Sequence, residues 1–327
     1  MRKRFLIVCV IFMLVSNIQA QTALDTSINY IHQAAPSMEV RLLKFAARLF
    51  LPKNSILKKL GRDHYASKAA PIPKQLLAEF TIDITQVCGR NVYAISPKGK
   101  KSGKYVLFLH GGGYINNIFH QHWKFIAQII RETNCTFIVP DYPLAPAANF
   151  KEAFAMLDAI YSALVSKANA TNIIFMGDSA GGGLALALAE QQKKESKPQA
   201  NQIILLAPWL DVRMTNPDIK EIEQHDVTLR VYNLVSAGKA WAASSSTDNY
   251  LISPINGPLE GLPRISLFIG THDILLADCR KLKSLLKQKS IPMNYFEYPK
   301  MFHDWMMLVS LKESKCAMTQ IGALILE

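Results

Sequence analysis

The sequence predicts an α/β fold: a mostly parallel central sheet flanked by helices and roofed by a helical cap. Two observations carry this. Four continuous apolar runs, YVLFL from Tyr105, CTFIV from Cys135, NIIFM from Asn172 and QIILL from Gln202, alternate with helical patterns at 122–133, 150–168 and 180–194. Strands apolar on both faces belong in a sheet covered on both sides, and strand–helix alternation implies parallel neighbours. After a break at 209–251 the alternation resumes, with a strand at Ile265–Ile269, a helix near 276–289, a strand at Asn294–Tyr298 and a last helix over about 305–325. At 327 residues, half of them hydrophobic, the chain is long enough to bury a large core.

The first twenty residues stand apart from that core. Arg2, Lys3 and Arg4 precede an apolar run from Phe5 to Val15 and a polar stretch ending at Ala20, the layout of a secretory signal peptide at 1–20 cleaved after Ala20. The run falls short of the ~20 apolar residues that span a bilayer. A secreted or periplasmic protein is therefore expected. Loss of the three basic leader residues takes the formal charge from +12 to +9. With no arginine-rich run or aromatic–basic repeat, nucleic acid is not an expected partner, and loose attraction to anionic surfaces is the remaining reading. Cys88, Cys135, Cys279 and Cys316 show no CxxC spacing. Free thiols and three disulfide pairings all stay open.

Residues 26–60 place Val40, Leu43, Phe45, Ala46, Leu49 and Phe50 at helical spacing, with Arg41, Lys44 and Arg48 between them. Helices across 21–75 are expected to contribute to the cap, and this basic amphipathic pattern also suits a lipid surface. Ala70 to Pro73 break it. From Glu79, FTIDITQV and NVYAI alternate around Cys88-Gly89-Arg90, a hairpin signal near the start of a main domain assigned to 76–327. The break at about 209–250, polar and then helical from Leu229 to Ala242, reads as a cap insertion over the carboxyl edge of the sheet.

The chemistry centres on Gly177-Asp178-Ser179-Ala180-Gly181, a G-x-S-x-G pattern with a strand before it and a helix after it. That context is the nucleophile elbow, a tight turn that lifts a Ser hydroxyl above the sheet edge. A Ser hydroxyl needs a base, and the base needs a third group to fix its tautomer. Asp273 and His303 follow the two late strands and give the chain order Ser, Asp, His. Asp278 is the rival acid. His110-Gly111-Gly112-Gly113 follows the strand YVLFL, where consecutive glycines aim amides into a cleft. An oxyanion hole from Gly111, Gly112 and Ala180 is expected.

HGGGY at 110–114, DYPLAP at 141–146, GDSAGGGLA at 177–185, APWLD at 207–211 and the Asp273 and His303 loops resemble the hormone-sensitive-lipase-like (bacterial family IV) branch of the α/β-hydrolases, from about residue 80 onward. The resemblance implies an α/β-hydrolase fold with a helical cap, Ser179, Asp273 and His303 as the triad, and Gly111, Gly112 and Ala180 as the hole. It also implies that His110 orients the glycine loop and that Asp141 and Tyr142 brace it, with Asp178 inside the elbow. Two departures stand out: Asp304 follows His303 where the family often has Gly, and Ile274 follows Asp273 where it often has Pro. Both are expected to alter pocket lining more than mechanism.

These features predict a serine carboxylesterase for short- to medium-chain esters, with Tyr114 and Trp209 as candidate pocket walls. No cofactor and no metal is implied; His120 and His122, with His110 and Asp141, lack ligand spacing. The oligomeric state is left open. Other readings are an amidase or formamidase of the same fold, a non-catalytic ligand-binding homologue, and a lipase acting at lipid surfaces.

Overall fold

The computed structural model describes residues 27–51, 55–62 and 65–327, so the leader read at 1–20 lies outside the described residues. Chain order runs β1 (Asn29–Ile31), α1 (Met38–Phe50), α2 (Ser55–Leu60), α3 (Lys74–Glu79), β2 (Phe80–Val87), β3 (Arg90–Pro97), β4 (Tyr105–Leu109), α4 (His120–Thr133) and β5 (Thr136–Pro140). It continues through α5 (Phe150–Lys167), β6 (Ile173–Asp178), α6 (Ser179–Lys194), β7 (Gln202–Leu206), α7 (Ile219–Ile222), α8 (Val231–Ala242), β8 (Arg264–Gly270), α9 (Leu276–Gln288), β9 (Met293–Tyr298) and α10 (Lys312–Leu326).

The strands form one sheet in the order β1-β9-β8-β7-β6-β4-β5-β3-β2. Among the described strands only the β2–β3 and β3–β5 pairings are antiparallel. From β4 the chain steps to β5 on one side and returns to β6 on the other, so the winding reverses at β4. In open α/β sheets ligands sit at such a reversal, outside the carboxyl ends of the strands. The glycine loop leaves β4 there and Ser179 leaves β6.

The apolar runs explain the burial. Val106 to Leu109, Ile173 to Met176 and Ile203 to Leu206 are almost wholly buried because helices cover both faces. Helix α6 is covered on all sides along its first three turns, with Ala185, Ala187 and Ala189 all fully buried. Helix α5 starts where Asn149 and Glu152 cap each other's backbone amides, so two orphan N–H groups are satisfied at once.

Three features differ from expectation. The last helix does not start at 305: Trp305–Met307 form a single 3-10 turn, and α10 begins at Lys312. Leu308 (φ −89°, ψ 74°) ends the 3-10 turn, and a turn over 308–311 separates it from α10. Residues 29–31, inside a stretch read as helical, instead add β1 parallel to β9, an edge strand too short to show periodicity. Helix α3 follows the Pro-rich break unannounced. All four described cysteines are free thiols.

The tightest constraint lies at the elbow. A Cβ on Gly181 would sit 1.9 Å from the Leu109 carbonyl oxygen, and one on Gly177 2.3 Å from that of Gly181. Backbone cannot yield as a flexible side chain can. Gly181→Ala is therefore expected to cost about 3 kcal/mol, at the upper end of overpacking penalties, read as a lowered urea midpoint; an unchanged midpoint would show that the elbow has room.

Candidate active site

Strand β6 passes into α6 with no intervening loop, and Ser179 takes φ +52° at the junction. A non-glycine residue in that region stores of order 1–3 kcal/mol, which only a surrounding structure as tight as this one sustains. Strands β8 and β9 deliver the other two groups. Their loops are stitched together by His272 N–H donating to the Met301 carbonyl (2.9 Å) and Thr271 N–H to that of Tyr298 (3.1 Å).

Three of the predicted residues meet. His303 Nδ1 lies 2.7 Å from Asp273 Oδ2, and His303 Nε2 lies 2.8 Å from Ser179 Oγ. Asp273 is fully buried and also accepts from the Leu275 amide at 2.9 Å. With an acceptor at Nδ1, the neutral ring carries its proton there and offers the Nε2 lone pair to the Ser179 hydroxyl. The rival Asp278 instead accepts from Asn216 Nδ2 (2.9 Å).

A fourth group was not foreseen. Asp304 Oδ2 stands 3.0 Å from His303 Nε2. Burial pushes the His303 pKa down, but Asp273 and Asp304 outweigh it and hold it well above the ordinary imidazole value. Burial lifts Asp304 to about 6 against the pull of His303. His303 Nε2 thus has two oxygens within 3.0 Å, the Ser179 hydroxyl and the Asp304 carboxylate.

The glycine loop corrects one expectation. The Gly111 amide donates to Asp178 Oδ1 at 2.9 Å and is not free for an oxyanion. Asp178 Oδ2 accepts from His122 Nε2 at 3.1 Å, while His122 Nδ1 accepts from the Phe119 amide, which places the ring proton on Nε2. Gly112 and Gly113 line the cavity instead. Their amides have no protein acceptor among the described residues. The Ala180 amide, in the first turn of α6, has no intrahelical partner either. The amides of Gly112, Gly113 and Ala180 are thus left without a protein acceptor among the described residues.

The remaining polar groups named from the sequence lie around the glycine loop. His110 Nδ1 donates to the Gly111 carbonyl (2.7 Å), its ring stacks on Tyr142 at 4.4 Å, and the Tyr142 hydroxyl donates to the His110 carbonyl (2.6 Å). Burial lowers the His110 pKa to about 4, so the ring is neutral. Asp141 accepts from Arg90 (2.6 Å) and Asn117 and ties β3 to the segment after the glycine loop.

Tyr114 and Trp209 are not pocket walls. Both are buried behind α6, where Tyr114 stacks on Trp241 (4.3 Å) and Trp209 (5.5 Å), and the Trp209 amide donates to the Ser179 carbonyl (2.8 Å). The glycine at 183 admits them, since a Cβ there would meet the Trp209 carbonyl at 2.2 Å.

The cavity above Ser179 holds about 760 Å³ and is largely apolar, with Leu43, Phe50, Leu234 and Met307 in its walls. Segments 43–51 and 227–234, with Ile56, complete it. Asp226, which the sequence reading passed over, joins one of them to the acid loop: Oδ1 accepts from the Thr228 and Leu229 amides and Oδ2 from that of Ile274 (2.9 Å). Among the described residues no group of three or more His, Cys, Asp or Glu is placed to hold a metal ion.

This geometry has relatives. A family model described as alpha/beta hydrolase fold matches residues 106–307. The chain belongs to the α/β-hydrolase fold family. It is 27% identical over 265 residues to a Mycobacterium tuberculosis triacylglycerol lipase, covering 79% of this chain and 56% of that protein, so it spans little more than half of that relative. It is 27% identical over 260 residues to an Acinetobacter venetianus esterase, covering 77% of this chain and 86% of that one. Among solved structures, an esterase from the bacterial hormone-sensitive lipase family shares the fold with a TM-score of 0.77, at 24% identity, over 89% of this hydrolase and 98% of that chain. These matches agree with the resemblance carried by the HGGG and GDSAGG motifs.

His122, Gly113, Asp226 and Asp304 are the site residues that sequence reasoning missed or set aside. Asp304 alone had a signal, a carboxylate where a glycine is usual. Because a nearby carboxylate stabilises the imidazolium, Asp304→Asn is expected to lower the His303 pKa, measured by NMR titration of ring-labelled histidine. An unmoved or raised value would count against a direct influence of Asp304 on the ring.

Proposed function

We propose that this hydrolase is a serine carboxylesterase acting on short- to medium-chain esters, with Ser179 as nucleophile. The observation that supports it most directly is the hydrogen-bonded line from Ser179 Oγ through His303 to Asp273 Oδ2, with steps of 2.8 and 2.7 Å. The family of the chain and the names of its relatives, esterase and triacylglycerol lipase, support the same class.

In this reading Ser179 attacks the ester carbonyl while its proton passes to His303 Nε2. Asp273 keeps the Nδ1 proton in place and stabilises the imidazolium. The amides of Gly112, Gly113 and Ala180 receive the oxyanion, aided by the positive end of α6. His303 then protonates the leaving alcohol. Water, deprotonated by the same ring, releases the acid. The apolar cavity of about 760 Å³ has room for a short or medium acyl chain. The reading includes export through the leader at 1–20.

A lipid-surface role has an observation of its own. Met38, Leu42, Phe45, Leu49 and Phe50 of α1 are 61–79% exposed, next to basic Arg41 and Arg48, and Phe50 also lines the cavity. Such a face, beside the mouth of the site, suits transient contact with an anionic lipid surface. Co-sedimentation with phosphatidylglycerol vesicles is expected to fall severalfold for Phe45→Glu combined with Leu49→Glu; equal binding would remove this role.

Ser179→Ala is expected to fold normally and to lose p-nitrophenyl butyrate turnover by a factor of about 10⁴ or more, the scale on which such nucleophiles act. Substantial residual turnover would overturn the reading. Side by side, Asp273→Asn is expected to cut kcat by about 10⁴ and Asp278→Asn by far less; the reverse order would exchange the acid.

A further inference from the structure

The position after His303 is an unusual place for an aspartate. Asp304 adopts φ 53°, ψ 32°, a left-handed backbone that glycine enters without cost and other residues hold only under constraint. Its side chain is 20% exposed and lines the cavity; Oδ2 faces His303 Nε2 at 3.0 Å, and Oδ1 is buried with no protein partner. Within the esterase reading, on which this inference rests, His303 Nε2 has a second task after deprotonating Ser179. It must bring its proton within hydrogen-bond reach, about 3 Å, of the departing alcohol oxygen. Asp304 Oδ2 already lies at that distance from the same nitrogen. The leaving oxygen and the Asp304 carboxylate are therefore neighbours around one donor.

We propose that Asp304 forms a leaving-group subsite that selects esters whose alcohol carries a second hydroxyl on the carbon next to the ester-bearing one, as in partial esters of polyols. Such a hydroxyl lies one carbon–carbon bond from the ester-bearing carbon, within reach of Asp304 when the ester oxygen is beside Nε2. The electrostatics favour it at the step that matters. As the proton leaves Nε2 for the alcohol, the ring regains its lone pair and Asp304 faces an acceptor. A substrate hydroxyl donating to the carboxylate relieves that repulsion. Of the other ionisable groups bordering the cavity, Lys44, Arg230, Asp178 and His122, two are cations. Their presence disfavours an ammonium and favours a neutral donor. The acyl chain is left to the apolar wall of Leu43, Phe50, Leu234 and Met307.

The test compares kcat/KM for 2-hydroxyethyl butyrate and propyl butyrate, which have the same number of heavy atoms. The wild type is expected to prefer the hydroxyl ester roughly tenfold, the scale of one hydrogen bond to a charged group. Asp304→Gly, which suits the backbone and deletes the carboxylate, is expected to bring the ratio close to one, and Asp304→Asn to lower it. A general effect on His303 cancels in the ratio. Should the glycine variant not fold, the asparagine variant and the wild-type ratio still decide. A wild-type ratio near one, a ratio unchanged in the variants, or a preference for butyrylcholine over the hydroxyl ester overturns the proposal. Turnover of p-nitrophenyl butyrate without the hydroxyl preference sinks this inference alone, whereas its absence in the wild type sinks the esterase reading beneath it.

Discussion

The site depends on one buried carboxylate. Asp178 is 1% exposed and joins three elements: its own strand β6, the glycine loop through the Gly111 amide, and α4 through His122. Burial raises its pKa, but His122 and the Gly111 amide more than offset this, and it stays below the usual aspartate value. A buried charge persists only when its lone pairs are taken up, so the loop has little freedom to drift from the elbow. The same packing forbids a side chain at 111, where a Cβ would lie 2.2 Å from Asp178 Oδ2. Spending the Gly111 amide on this anchor moves the free donors one residue along, to Gly112 and Gly113.

A second anchor couples the roof of the cavity to the acid. Lys44 on α1 donates to His272 Nδ1 (2.5 Å) and to the Lys300 carbonyl (2.8 Å), contacts that flank Asp273 and His303 in sequence. Burial, then the neighbouring Arg48, lowers Lys44 to about 8, and burial, then Lys44, lowers His272 to about 4. A neutral His272 can accept from the ammonium, so the two shifts are consistent. Asp226 does the corresponding work for segment 227–234 through the Ile274 amide. Both walls of the cavity thus report to the loop that carries Asp273, and displacement of either has a route to the His303 tautomer.

The sheet and the triad candidates were legible because each leaves a local mark. Buried parallel strands are continuous apolar runs, the elbow needs glycines where backbones touch, and Asp273 and His303 sit directly after strands. What was illegible depends on which partner a group finds at long range. Nothing in the sequence distinguishes the amide of Gly111 from that of Gly113; the choice is made by Asp178, 67 positions away in the chain. Tyr114 and Trp209 flank the motifs and are aromatic, as pocket walls often are, yet Gly183 opens a niche behind α6 that draws them into the core. Three residues of β1 carry no periodicity, and only the free edge of β9 makes them a strand.

The balance of charge around His303 sets what the ring can do. Asp273 faces Nδ1 and Asp304 faces Nε2, so one imidazole stands between two carboxylates. The two act differently. Asp273, at the buried end, fixes a tautomer with the lone pair toward Ser179. Asp304, on the cavity side, competes with Ser179 for that nitrogen and favours the protonated ring, which opposes the first proton transfer and leaves the second, to the alcohol, to a less acidic donor. In the reading proposed above, a hydroxyl of the bound alcohol that donates to the Asp304 carboxylate offsets this cost. On that proposal, Asp304 bears on the chemistry of the alcohol and not on the length of the acyl chain.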